Sequence, residues 1–334
     1  RRLRFQMAFG DNVSTDNGPF PGNHEVNWVV APQWTGAVNT DVRNRNNWST
    51  NAVPGANDLA VFPNAGVTNE PSLSGTLTVG QLVVQGLRTF TINSGTLTVN
   101  GTTLNEGVIN LNNNNAKATF KDSISNQGTF TGVAASQVTL QPSADMVLGG
   151  SGSSTFGKLV VNADTGSRNV FFEMDVNVSD RLTISRGRVN LSPVVDADST
   201  LQVNKRLVIS QNGTLLFDDG DAVTTEVLEV QGTLNASGGT VTLQCNGASA
   251  DSLIVATNGN FTMSAGALNL AGTNNTNLKV SNNISVFNFS SNLVNAIAKT
   301  NFSAGKTMSI AGNFSNAAQS PFNVAAPANT LLNV

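Results

Sequence analysis

The sequence predicts an all-β fold, a parallel β-helix (β-solenoid) with rungs of about 19–25 residues and an aromatic-rich N-terminal cap. Three observations carry that prediction. SGTLTV occurs at 74–79 and again, word for word, at 94–99. Short runs such as TLTV, TFTI and GVINL alternate apolar and polar residues between Gly, Asn and Ser, the pattern of half-buried strands separated by turns. Helical periodicity is nearly absent; its one short candidate is Asn292 to Lys299, NLVNAIAK.

Taken from the N-terminus, RRLRFQMAF alternates Leu3, Phe5, Met7 and Phe9 with polar, basic or small residues, a strand pattern with no repeat partner nearby. Its apolar part is too short for a signal peptide, and the chain, beginning without Met, reads as a mature or trimmed form. Residues 1–70 hold all three Trp (Trp28, Trp34, Trp48), the only His and five of the ten Pro. This region lacks the repeat and reads as an N-terminal strand and cap, which a solenoid needs to cover its open end. The boundary falls near Val67–Ser72, with a solenoid over 71–334.

Within the solenoid the repeats march in step. Asn105-Glu106-Gly107-Val108-Ile109 is echoed by Asn126-Gln127-Gly128-Thr129-Phe130, and Asp175–Ser185 by Thr200–Ser210. An antiparallel sandwich needs no such regularity, whereas stacked coils must set apolar side chains above one another. Leu77 is therefore expected over Leu97 and Val79 over Val99, with Gly75 and Gly95 at one corner, in a stack of about a dozen rungs. Asn112–Asn115 reads as a corner, because Asn tolerates left-handed backbone and its amide can bond the next rung. The same arithmetic sets Asp180 against Lys205.

Composition limits the function. Charged residues make up 12% of the chain, about half the usual share, and the net charge is −3. That balance offers no basic field for nucleic acid, and no apolar run is long enough to span a membrane. The lone Cys245 rules out an intrachain disulfide and reads as a buried small hydrophobe. Asp218, Asp219 and Asp221, with Glu226 nearby, form a weak Ca²⁺ candidate that lacks the ordered ligand loop; a solvated acidic turn explains them better, as it does Asp196 and Asp198. Arg186, Arg188, Lys205 and Arg206 read as solubilising surface, and His24 has no second ligand beside it. No catalytic residues and no cofactor are expected. N-x-S/T sequons, such as those at Asn177, Asn212, Asn235 and Asn313, follow largely from the Asn, Ser and Thr content.

Gln33–Pro63, QWTGAVNTDVRNRNNWSTNAVPGANDLAVFP, carries a W-T-G…D…N-W…V-P…D-x-V pattern, and Leu148–Asn162 with Val176–Leu191 forms a second signature. Together these resemble secreted β-solenoid surface and adhesin-like proteins of Bacteroidota, cargo of the type IX secretion route. The resemblance departs at Val42, often a third Trp, and no C-terminal sorting domain follows Val334. It implies a right-handed β-helix, a cell-surface or extracellular location and a structural, adhesive or accessory role. The sequence-level expectation is thus a non-catalytic surface protein that polymerises head to tail by strand addition. Leu3, Phe5, Met7 and Phe9 would dock on a neighbouring copy, with a glycan or cell-surface ligand as a further partner. The alternative is a carbohydrate-binding or polysaccharide-degrading β-helix module.

Overall fold

A computed structural model describes residues 31–191, 200–217, 222–236, 238, 240–245, 251–272, 276–293, 298–316, 322–325 and 331–333. Residues 1–30 lie outside the described residues, and the described unit begins at Ala31. That unit is a β-solenoid of about ten turns with about 1% helix.

Each turn contributes strands to three parallel sheets. Leu59–Phe62, Gln81–Val84 and Thr103–Asn105 open the first sheet. Ser72–Leu73, Thr89–Ile92 and Val108–Leu111 open the second, and Thr76–Val79, Thr96–Val99 and Lys117–Phe120 the third. Register offsets between neighbouring rungs run from 18 (Ala222 on Thr240) to 27 (Thr233 on Asn260), slightly beyond the expected range at both ends. Corners absorb that variation, since a loop can lengthen without moving the strands it joins. Some corners vanish altogether: Thr200–Phe217 is one 18-residue strand that serves all three sheets in turn.

The repeated hexapeptide does what its identity requires. Leu77 pairs with Leu97 and Val79 with Val99, all four buried. The column continues through Ala118, Val138 and Leu159 to Leu182 and beyond, every member buried. No single coil could bury this face alone, so the core exists only as a stack. Gly95 lies against Gly75 at one corner; a Cβ on Gly95 would fall 2.3 Å from the Gly75 carbonyl oxygen.

Asparagines also stack, in part inside the core. Asn105 and Asn126 are buried, and the Asn105 amide donates to Asn126 Oδ1 at 2.7 Å. Asn126 Nδ2 in turn donates to the Ser153 carbonyl at 2.9 Å and to Ser154 Oγ at 3.0 Å. A buried amide is tolerated where its bonds are made, and the ladder makes those of both amide nitrogens between rungs, leaving only Asn105 Oδ1 without a donor. Asn112–Asn115, by contrast, is an exposed turn closed by the Asn115 N–H donating to Asn113 Oδ1.

The aromatic segment departs from the sequence-level division. Gln33 and Asp41 already bridge in parallel to Val61 and Ser72, and Leu59–Phe62 is an ordinary first-sheet strand. Stacking therefore begins ahead of the Val67–Ser72 boundary. The repeat is hidden there because bulky Trp side chains fill the space that Leu and Val fill elsewhere. Trp34, Trp48 and Phe62 are buried together, with ring centroids 5.3 Å apart for the two Trp and 5.6 Å for Trp48 and Phe62. Each indole N–H finds a carbonyl, Trp34 on Asn69 and Trp48 on Val42, both at 2.8 Å. Of the helical candidate at Asn292–Lys299, residues 294–297 lie outside the described residues, and its two ends are extended. Asn288–Leu293 and Ala298–Phe302 are strands, drawn into the second and third sheets by the rungs beneath them.

Polar clasps tie rungs at their corners. The Asp145 carboxylate accepts from the Asn169 backbone N–H and side-chain amide, both at 2.9 Å. These hydrogen bonds hold its pKa below the ordinary value. A depressed carboxylate pKa stabilises the fold above the unfolded pKa, and the contribution is lost as pH falls through the folded value. Acidification below about pH 4 should therefore release this corner. The Asn169 amide resonance is expected to titrate there in the native chain and to stay flat in Asp145→Ala; titration in both would assign the effect elsewhere.

Candidate binding face

Outward-facing positions distinguish the three sheets. On the second sheet one row runs Ser72, Thr91, Asn110, Thr131, Thr155 and Asn177, each in register with the next. It continues through Gln202, Thr224, Thr242, Asn269 and Ser290 to Ser315. Every member is an uncharged hydrogen-bonding residue. Alternation along a strand puts a second row two residues earlier on the same face, including Thr89, Thr129, Ser153, Asp175, Thr200 and Thr240. The same rule places Val108, Ala222 and Ala267 in that row, and Glu70 and Asp175 are its two charges.

The two rows deepen into a groove of about 370 Å³, lined by Ser153, Thr155, Asp175, Asn177, Thr200 and Gln202 from three successive rungs. Each wall is set by a register pair, Thr155 on Asn177 and Asn177 on Gln202. The Asp175 carboxylate is fixed by the Thr200 N–H at 2.9 Å. Asn177 Oδ1 is buried and has no hydrogen-bond donor, which is uncommon for a buried polar atom.

The third sheet carries charge instead. Lys158, Arg181 and Arg206 follow one another in register on its outward face. Lys205 lies 3.3 Å from Asp180, as the repeat arithmetic placed it, and Arg206 pairs with Glu229. Burial raises the Glu229 pKa, but hydrogen bonds from Arg206 and Gln231 outweigh it and hold the value low. Arg186 donates to the Asp164 carbonyl, and Arg188 stands exposed on the first sheet.

Asp218, Asp219 and Asp221 lie outside the described residues, as do Asp196, Asp198 and His24. So do Leu3, Phe5, Met7 and Phe9. Cys245 ends the second-sheet strand Thr240–Cys245. Among the described residues no three His, Cys, Asp or Glu side chains gather to hold a metal ion. Phe90, Phe130 and Phe261 are buried, so these Phe pack inward. Among the described residues Phe287 is the one aromatic side chain in the exposed large hydrophobic set. The polar rows were missed by sequence reasoning. Their local signal is Thr-x-Thr, as in Thr89-Phe90-Thr91, Thr129-Phe130-Thr131 and Thr240-Val241-Thr242, but only the register shows that they form one face.

No protein-family model matches the chain, and neither the curated proteins nor the solved structures return a match. No helix among the described residues is long and apolar enough to cross a membrane.

Proposed function

We propose that the chain is a non-catalytic, extracellular structural or adhesive surface protein, a subunit of a head-to-tail fibre. The observation that carries this reading is the unbroken uncharged polar row from Ser72 to Ser315. A row that repeats one chemistry on every turn suits contact with an extended surface or polymer better than work on a small substrate at one point. The low charge and the resemblance to secreted surface proteins support the location.

Fibre formation draws on strand addition. Leu331–Asn333 pairs on one side with Thr307–Ser309, and among the described residues nothing pairs with its other side. Leu3, Phe5, Met7 and Phe9 supply an alternating strand for such an edge. A head-to-tail contact that does not close on itself produces a filament. Electron microscopy of the purified chain should show filaments, and removal of residues 1–10 should leave soluble monomers. Filaments that persist after that deletion would rule out the docking strand. Polysaccharide shortening that is lost when Asp218, Asp219 and Asp221 are all changed to Asn would replace this reading with an enzymatic one.

A further inference from the structure

We infer that the groove on the second sheet binds a linear, uncharged glycan that lies along the stacking axis. The proposal names a ligand class for the adhesive face and rests on that reading. Three properties of the groove select this occupant.

The first is chemistry. Ser153, Thr155, Thr200 and Gln202 offer hydroxyl and amide groups that both donate and accept, as sugar hydroxyls do. A polyanion would meet no cation in this lining, and the Asp175 carboxylate would repel it. A peptide strand would need an open backbone edge, but the strands here are paired on both sides by their neighbouring rungs.

The second is unmet hydrogen-bonding capacity. Asn177 Oδ1 takes no donor from the chain, while the neighbouring Asp175 carboxylate is held in place by Thr200 N–H. Oδ1 itself is closed to solvent, so a sugar hydroxyl supplies the missing donor only once the Asn177 amide turns toward the groove. Asp175 would accept from the adjacent hydroxyl, so one sugar with neighbouring hydroxyls can engage both.

The third is spacing. Rungs repeat every ~4.8 Å along the axis, close to the length of one pyranose residue in an extended glycan. A chain laid across Thr155, Asn177 and Gln202 therefore meets one polar side chain per sugar. The volume of about 370 Å³ lies within the range of ordinary ligand sites, and the polar row continues past it on both sides.

The test uses ¹⁵N-labelled full-length chain titrated with cellohexaose, xylohexaose and mannohexaose, and with hexagalacturonate as the charged comparison. At least one neutral hexasaccharide is expected to shift the Asn177 and Gln202 side-chain amides and the Thr200 backbone amide, with an affinity on the order of 1 mM. Thr155→Val with Thr200→Val removes two hydroxyls while keeping β-branched shape. It should weaken binding by about tenfold or more and leave the circular dichroism spectrum unchanged. Asn177→Ala supplies an independent variant whose neighbouring rungs keep their own core residues. No shift with any neutral probe, or equal binding by the double valine variant, would show that the row serves only to stack rungs. Preferential binding of hexagalacturonate would overturn the uncharged class. Filament formation is scored separately, so loss of glycan binding from chains that still form filaments rejects this inference and leaves the fibre reading standing.

Discussion

Leu97→Asp is expected to break the stack at its third sheet. Leu97 is fully buried, between Leu77 on one rung and Ala118 on the next. Truncating a packed leucine costs about 2–5 kcal/mol, because the cavity closes only in part. A carboxylate in its place adds the penalty of a charge with no partner in the apolar column. The sum rivals the whole stability of an ordinary domain, about 5–15 kcal/mol. A stack whose turns contact only their neighbours should fail locally first, with turns on either side losing their shared interface. Limited proteolysis should therefore cut near residues 75–120, and the strand signal in circular dichroism should fall. Thr98→Asp provides the comparison, since Thr98 follows on the same strand and faces outward. It is expected to change stability by under about 1 kcal/mol. Equal tolerance of both substitutions would contradict the inward column.

How much of this was legible beforehand depends on what each feature needs. Identical neighbours are visible in sequence: SGTLTV on SGTLTV gives Leu77 on Leu97 because the offset is short and the match is whole. The clasp of Asp180 and Lys205 follows from one offset in the same way. Features that span many rungs are not visible, since the offset changes at every corner. The Ser72–Ser315 row needs each offset known before Thr155, Asn177 and Gln202 can be placed side by side. Residues of different type then share one role, and no residue-by-residue match marks them. The start of the stack was hidden for a related reason. Trp34 and Trp48 occupy core positions with side chains unlike those of any later rung, so the repeat cannot be read there although the pairing is present.

Gly128→Val tests the corner that the repeated Asn-x-Gly motif builds. Gly107, Gly128 and Gly152 succeed one another where the chain turns into the second sheet. A Cβ on Gly128 would lie 2.0 Å from the Gly107 carbonyl oxygen, and one on Gly152 would lie 2.1 Å from that of Gly128. The obstacle is backbone, which cannot swing aside as a side chain can. The same carbonyls are committed to the ladder: Thr129 N–H donates to Gly107 at 2.8 Å and Ser153 N–H to Gly128 at 2.9 Å. Moving the oxygen away from a new methyl therefore also lengthens a hydrogen bond between rungs. Asn105 and Asn126 lie on the adjoining strand ends, and their 2.7 Å amide bond would be pulled apart by the same displacement. Overpacking and lost hydrogen bonds together should cost about 2–4 kcal/mol. Gly86→Ala gives the contrast, because a Cβ there meets its nearest atom, the Glu106 oxygen, at an ordinary 3.5 Å. Denaturant unfolding should show a clear loss of midpoint for Gly128→Val and almost none for Gly86→Ala. If the valine is accepted without loss, the rungs at this corner are not held at backbone contact, and the glycines are there for the turn alone.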